Sequence, residues 1–238
     1  MITLALCAQG WGQEAADVLA IRNAADVALN AHDLDTMMSH WADDVVYNYA
    51  PLPAPLEGKD AAHAFFTGLL VGFPDFATTE GRVLVADNIV VVEHSTTGTH
   101  QGPWMGIPPT GNAVAAPHVD IYEFEDGKIK RAASYLDAAS IMIQLGVVPA
   151  PDMPDLTPSF VLPDPEPTGL SPIEAATEML ARWSSNDPVA LAKIVHQDMS
   201  FNGAGVPVTL DRNAYIGLNE VIFFPAFSGL IGQPTSMV

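Results

Sequence analysis

The sequence is poor in cysteine, in positive charge and in long apolar runs. Its single cysteine, Cys7, excludes an intrachain disulfide and the zinc sites that need several cysteines. Nine Lys and Arg residues stand against 28 Asp and Glu, which gives a formal net charge of −19. So few cations cannot easily form a basic patch, so we expect no nucleic-acid partner and no anionic membrane surface as partner. No run approaches the roughly 20 apolar residues that would span a bilayer.

The composition otherwise predicts a folded chain. Of the 238 residues, 49% are hydrophobic, too many for a disordered acidic tail and enough for a sizeable core. Residues 1–13 form a predicted N-terminal extension whose apolar start, Met1 to Ala8, lacks a basic region before it. This extension is either the remnant of a signal peptide or an ordinary N-terminus, so a cytoplasmic and an exported location both stay open.

Residues 14–150 follow an order of helices first and long strands afterwards. Helical spacing of apolar residues covers 14–40, where Asp33 starts a second short helix, and returns over 60–72. Five runs have strand character and a last short helix follows them: Asp44–Tyr49, Phe76–Ala86, Ile89–Gly98, Ala113–Glu125 and Lys128–Leu136, then Ala138–Leu145. This order predicts an α+β domain with helices on one face of a curved antiparallel sheet.

The remaining residues divide into a linker and a partial repeat. Prolines are dense over residues 151–170, which predicts an extended linker without helix or central strand. After the linker, the motif from Asp44 to Pro53 returns at Asp198 to Pro207, with a constant offset of 154 residues. Residues 171–238 therefore form a predicted second, incomplete copy, a helical half-repeat that lacks the long strands.

Three motifs of the first domain resemble those of the SnoaL-like polyketide cyclase, or ester cyclase, family. They are the loop Gly98–Gly111 with its Gly-Pro-Trp-Met-Gly centre, the turn Asp126–Ile129, and the segment Gln144–Pro149. The resemblance implies a cone-shaped α+β barrel of the nuclear transport factor 2-like, or cystatin-like, type. It also implies intramolecular aldol ring closure of a polyketide ester without metal or cofactor. The superfamily includes isomerases, dehydratases, hydrolases and non-catalytic proteins as well, so the fold alone does not give the function.

The strongest catalytic candidates share one face of a predicted strand. Alternation places His118, Asp120 and Tyr122 on the same side, a mixture of charge and aromatic surface that suits a pocket wall. A buried carboxyl at Asp120 is expected to have a raised pKa and to exchange protons. His118 is a second acid/base candidate, and Tyr122 is expected to contact the ligand. The alternative is a structural Asp120–His118 pair.

Three further positions carry weaker hypotheses. Asp137 is either a catalytic acid or the N-cap of the last helix. Ser134 stands where the family's cyclases usually carry their key acid, which puts the aldol mechanism in doubt and leaves Ser134 as a ligand-binding candidate. Asn48 stands near the position of a catalytic Asp in ketosteroid isomerase, and either hydrogen-bonds a substrate carbonyl or forms a turn.

The resembling loop adds binding candidates. His100 is expected to hold the loop and to bind substrate, while Trp104 and Met105 are expected to gate the mouth of the pocket. His94, His100 and His118 have no diagnostic ligand spacing, so we expect no metal site.

Together these features favour a cofactor-independent, cyclase-like enzyme that acts on an apolar, carbonyl-containing small molecule by acid/base catalysis. The alternatives are a non-catalytic binding protein with the same pocket and an interaction module built on the half-repeat. For the last, the partner would be a second copy of the chain, as a homo-oligomer, or the other repeat of the same chain.

Overall fold

The computed structural model describes residues 13–203, 206 and 209–226, and the chain divides into two compact units, Met1–Pro149 and Ala150–Val238. Most of the predicted N-terminal extension, the end of the predicted half-repeat and several residues of its returning motif lie outside the described residues.

The described part of the first unit has four helices: α1 (Gln13–Asn30), α2 (Leu34–Ser39), α3 (Lys59–Gly72) and α4 (Ala138–Gln144). Asp33 separates the first two as expected, because its carboxylate accepts a hydrogen bond from the Thr36 amide at 3.0 Å and so caps α2. Asp137 does the same for α4, accepting from the Ser140 amide at 3.0 Å.

Six strands form one sheet in this unit: β1 (Trp41–Tyr49), β2 (Leu56–Glu57), β3 (Ala77–Ala86), β4 (Ile89–Thr99), β5 (Ala113–Glu125) and β6 (Lys128–Leu136). Their order is β2-β1-β6-β5-β4-β3, and every neighbouring pair is antiparallel except β1 and β6, which are parallel. The α+β fold with a curved, mainly antiparallel sheet is therefore as predicted. Within the described residues the sheet stays open, with β2 and β3 as its edges, rather than closing into a barrel.

The core of the first unit lies between the helices and one face of the sheet. Alternate residues of β1 point inward, so Val45, Tyr47 and Tyr49 are buried while the residues between them are exposed. Trp41 and Phe66 meet edge to face with ring centroids 5.8 Å apart, and both are buried. The inner face of the central strands carries polar side chains as well, and these form the candidate site.

The second unit begins with a proline-rich stretch that has no helix or strand up to Ser171. Its regular elements are α5 (Pro172–Ser184), α6 (Pro188–Ala192), β7 (Ser200–Phe201), β8 (Leu210–Asp211), α7 (Arg212–Leu218), the π-helical turn Asn219–Phe223 and the short α8 (Phe224–Ala226). The stretch predicted as a linker packs on this unit, since Leu156 and Phe160 contact its buried core. The Arg212 guanidinium also donates to the Pro163 carbonyl at 2.6 Å.

The pairing of β7 with β8 has the same register as the pairing of β1 with β2. Ser200 pairs with Asp211, and Val46 pairs with Glu57, 154 residues earlier in both strands. Asp187 caps α6 as Asp33 caps α2, again at an offset of 154 residues.

No helix in the described part of the chain is long and apolar enough to cross a membrane.

Candidate active site

A cavity of about 100 Å³ lies in the first unit between α1, α2, α3 and the inner face of the sheet. This volume is enough for several water molecules or a small ligand. Most of its wall is aromatic or aliphatic. The aromatic side chains are Trp41, Tyr47, Tyr49, Phe65, Phe66, Phe73, Phe76, Trp104 and Tyr122. A smaller set of ionisable groups converges on the same space: Arg22, Asp26, His94, His118 and Asp120. An apolar pocket with a few convergent polar groups is the usual form of a small-molecule site.

Strand β5 contributes Asp120 and His118, which the alternation of the strand places on the cavity side. His118 Nε2 lies 3.4 Å from Asp120 Oδ2. The other ring nitrogen of His118 lies 3.3 Å from Thr96 Oγ1 and 3.3 Å from the Ala116 carbonyl oxygen. Asp120 is nine-tenths buried, and the Tyr122 hydroxyl donates to its Oδ2 at 3.1 Å. The predicted pair therefore exists and borders the cavity.

Asp120 differs electrostatically from the prediction. Burial raises its pKa, but the hydrogen bond and charge of His118, together with a hydrogen bond from Ser134, outweigh burial and hold the pKa below the ordinary value of a carboxyl. Burial lowers the pKa of His118, and Asp120 more than restores it, so that pKa lies above the ordinary value. Each side chain therefore favours the charged form of the other, and the expected raised pKa at Asp120 was wrong.

Ser134 and Tyr47 complete this side of the wall. Ser134 lies opposite Asp120 in the pairing of β5 with β6, and its hydroxyl shares a hydrogen bond of 2.9 Å with the Tyr47 hydroxyl. Burial raises the pKa of Tyr47 well above its ordinary value, so the phenol stays protonated. Ser134 and Tyr122 both line the cavity.

Helix α1 brings two groups that the sequence analysis missed. Arg22 and Asp26 lie one turn apart, and Arg22 Nη2 is 2.5 Å from Asp26 Oδ2. The Arg22 side chain is only 1% exposed and also contacts Glu80 of β3. A signal for Arg22 is present in the sequence, because it falls on the helical stripe that includes Val18 and Ala25.

Burial raises the pKa of Asp26 to about 6, although the charge of Arg22 lowers it. An ion pair with Arg22 should lower the pKa of the Asp26 carboxyl, whereas this pKa is raised. Burial decides the balance because it costs the carboxylate more solvation than one neighbouring cation returns. Asp26, rather than Asp120, is thus the cavity carboxyl with the raised pKa.

His94 of β4 joins the two carboxyls. It pairs with His118 across β4 and β5, and the two rings stack with centroids 5.1 Å apart at an angle of 11°. His94 Nε2 lies 3.9 Å from Asp26 Oδ2 and 3.5 Å from Asp120 Oδ2. Burial lowers the pKa of His94 to about 4, so its imidazole is neutral near pH 7.

The ligand atoms of His94, His118 and Asp120 lie within 4.8 Å of one another, a spacing at which such groups can hold a metal ion. The position of Arg22 disfavours metal binding at this cluster. Its Nη2 lies 3.2 Å from His94 Nε2, so a guanidinium charge already occupies one side of the cluster and repels a further cation.

Four residues of the cavity wall carry buried polar atoms that have no hydrogen-bond partner within the described residues. The atoms are Arg22 Nε, Trp41 Nε1, His94 Nδ1 and Asp120 Oδ1. Buried polar groups are nearly always satisfied, so such a concentration in one cavity favours a bound molecule with polar atoms of its own.

The other predicted site residues lie in different places. Trp104 lines the cavity and meets Phe73 edge to face at 5.3 Å. A Cβ at Gly72 would stand 2.8 Å from Trp104 Cβ, so this glycine lets α3 approach the loop. Met105, beside Trp104, has a half-exposed side chain and is not part of the cavity wall.

Three predicted residues lie outside the cavity wall. His100 is buried outside the cavity, stacked on Phe73 at 5.1 Å, and its Nδ1 accepts a hydrogen bond from the Thr110 amide, so it holds the loop. Asn48 points to the exposed face of β1, because its neighbours Tyr47 and Tyr49 take the inward positions. Asp137 caps α4 and does not line the cavity, which favours the capping alternative. We therefore leave these residues out of the candidate site.

The chain belongs to the SnoaL-like polyketide cyclase family, whose model matches residues 19–145. Two solved structures share the fold. A candidate SnoaL-like polyketide cyclase from Jannaschia sp. CCS1 is 22% identical, with a TM-score of 0.55 over 59% of this chain and 99% of that one. TsrD from Streptomyces laurentii is 22% identical, with a TM-score of 0.51 over 58% of this chain and 100% of that one.

A third solved structure is similar in sequence as well. AclR, a candidate hydroxylase from Streptomyces galilaeus, is 27% identical, with a TM-score of 0.52 over 60% of this chain and 87% of that one. No curated protein matches the chain.

Proposed function

We propose that the first unit is a cofactor-independent, cyclase-like enzyme that moves protons on an apolar, carbonyl-containing small molecule. The observation that carries this proposal is Asp120 Oδ1, a buried carboxylate oxygen on the cavity wall without a hydrogen-bond partner among the described residues. His118 favours the ionised carboxylate, and most of the surrounding wall is apolar. A desolvated carboxylate beside a carbonyl compound is suited to removing a proton from the carbon next to the carbonyl.

Asp120 is the base in this proposal, and His118 positions it. The His118 ring and the Tyr122 hydroxyl both lie within 3.4 Å of Oδ2, and the Ser134 hydroxyl also stabilises the carboxylate. Oδ1 has no hydrogen-bond partner of its own among the described residues, so it is the oxygen that we assign to the ligand. Membership of a cyclase family supports a ring closure that begins with this proton removal. Ser134 takes no proton in the proposal and instead fixes the Tyr47 hydroxyl.

Deuterium exchange tests this role of Asp120 without the natural substrate. The full chain is incubated in D₂O with 1-tetralone, a bicyclic aryl ketone, and exchange at the carbon next to the carbonyl is followed by NMR. We expect exchange above the buffer background, and a fall of about 100-fold or more in Asp120→Asn, because a positioned base contributes roughly that much. Asp35→Asn is the matched control, since the Asp35 side chain is 98% exposed.

The alternative is a binding protein that uses the same cavity without chemistry. Saturable binding of the ketone with exchange at the background rate would favour this alternative. Exchange in Asp120→Asn at the wild-type rate, with the variant folded by circular dichroism, would contradict the base assignment.

We also propose that the second unit is a partial copy of the first. The shared register of the two short hairpins and the two capping aspartates support this proposal.

A further inference from the structure

Asp26 borders the same cavity as Asp120 and comes from a different element of the fold. Its side chain is 18% exposed and belongs to the cavity wall. His94 Nε2 lies between the two carboxyls, 3.9 Å from Asp26 Oδ2 and 3.5 Å from Asp120 Oδ2. A ligand in the cavity is therefore within reach of a carboxyl group on α1 and of another on β5.

We propose that Asp26 is the proton donor of the site. It donates a proton to the carbonyl oxygen of the ligand while Asp120 removes a proton from the carbon next to that carbonyl. This inference rests on the function proposed above. It adds a catalytic residue on α1 and assigns the two carboxyls opposite tasks.

The surroundings of the two carboxyls separate their pKa values. Burial raises the pKa of Asp26 to about 6, whereas the pKa of Asp120 is held below its ordinary value. Paired carboxyls with pKa values shifted apart are typical of an acid and a base that work together. The charged and titratable groups that face Asp26 come from four elements: Arg22 on α1, Glu80 on β3, His94 on β4, and His118, Asp120 and Tyr122 on β5.

The arrangement supports a balanced ring closure. Asp120 takes a proton from the carbon next to the carbonyl, and the electron pair of that C–H bond forms a C=C bond. The π electrons of the carbonyl move to its oxygen, which takes the proton of Asp26, and the Asp26 carboxylate left behind is stabilised by Arg22, 2.5 Å away. The enol carbon then forms the new C–C bond to a second carbonyl carbon, whose oxygen takes the proton held by Asp120, while the enol oxygen returns its proton to Asp26. Both carboxyl groups are restored, so the product is an isomer of the substrate and no co-reactant is consumed.

The pH dependence of ketone binding tests the donor role of Asp26. Binding of 1-tetralone to the full chain is measured by tryptophan fluorescence between pH 5 and 7.5. If the protonated carboxyl donates to the carbonyl oxygen, the dissociation constant should rise on the order of tenfold across this range, because the binding-competent fraction falls. Asp26→Asn should lose the step centred near pH 6, and Asp35→Asn should keep it.

A ¹³C NMR titration of the Asp26 carboxyl, assigned with Asp26→Asn, accompanies the binding measurement. Titration near the ordinary value of 3.8 overturns the proposal. A pH step that persists in Asp26→Asn also overturns it. A chain that binds and exchanges the ketone through Asp120, with no contribution from Asp26, contradicts this inference and leaves the proposed function standing. Absence of ketone binding contradicts the donor role on 1-tetralone and the proposed function together.

Discussion

The two units share similar local structure but differ in what their first helices bury. Each has a short helix capped by an aspartate, followed by two strands that pair antiparallel through two residue pairs. The register of this pairing is the same in both units, at an offset of 154 residues. Yet α1 buries Val18, Arg22 and Ala25, whereas α5 has no buried residue. The first unit has the long strands β3 to β6 as a packing surface, and the described part of the second unit has only β7 and β8. Caps and turns thus specify elements locally, while a cavity requires the sheet.

The units differ in charge at corresponding positions. At the offset of 154 residues, Arg22 corresponds to Ala176 and Asp26 to Leu180. The helix α5 therefore carries neither member of the ion pair that α1 places on the cavity. The acid/base site that we propose therefore has no counterpart at these two positions of α5.

The largest difference between the two units is expected when a buried core residue of one unit is truncated. Ile129 on β6 and Ile216 on α7 are both fully buried. Replacing either by alanine should cost about 2–5 kcal/mol of unfolding free energy through lost burial and a new cavity. We expect hydrogen exchange followed by mass spectrometry to show faster exchange only within the unit that carries the substitution.

Binding of the ketone to the same two variants tests which unit holds the site. Ile129 lines the cavity, so Ile129→Ala should weaken binding of 1-tetralone, whereas Ile216→Ala should leave binding unchanged. Equal loss of binding in both variants would contradict the assignment of the site to the first unit.

A smaller effect is expected from removing the charge of Asp26. Its pKa is about 6 in the folded chain against 3.8 for an ordinary aspartate, so folding favours the protonated form. This contribution to stability is complete below pH 3.8 and is lost as the pH rises through about 6. At pH 7, Asp26→Asn should therefore be more stable than the wild type by up to about 3 kcal/mol, and at pH 4 the difference should shrink toward zero.

Urea unfolding at several pH values measures this difference. The lowered pKa of His94 acts in the opposite sense, but His94 is present in both proteins and largely cancels in the comparison. Leu180→Asn, at the corresponding position of α5, should show no such pH dependence. A variant less stable than the wild type at pH 7 would mean that the ion pair with Arg22 outweighs burial.

Much of the fold was predictable because its signals are local. The bounds of β5 and β6 agree with the sequence pattern, and the turn between them is marked by Asp126 and Gly127, both with positive φ. The parallel pairing of β1 with β6 was not predicted, because it joins residues about 85 positions apart that share no local signal. The short strand β2 was not predicted either, because it directly follows Pro51, Pro53 and Pro55, which disfavour a strand.

The candidate site was predictable only in part, for the same reason. His118 and Asp120 lie two residues apart on one strand, so alternation alone brings them together. Arg22 and Glu80 are 58 residues apart in sequence and meet only through the packing of α1 on the sheet. The exposed position of Asn48 could not be predicted, because the pattern of β1 does not show which of its faces meets α3.

A crystal structure of the full chain with 1-tetralone bound at pH 5 tests the acid/base pair most directly. We predict that the ketone lies in the cavity of the first unit with its oxygen within hydrogen-bonding distance of Asp26. The carbon next to the carbonyl should then face Asp120 Oδ1. A ketone bound elsewhere, or bound in the cavity with its oxygen turned toward the Phe65 and Phe66 wall, would contradict this arrangement.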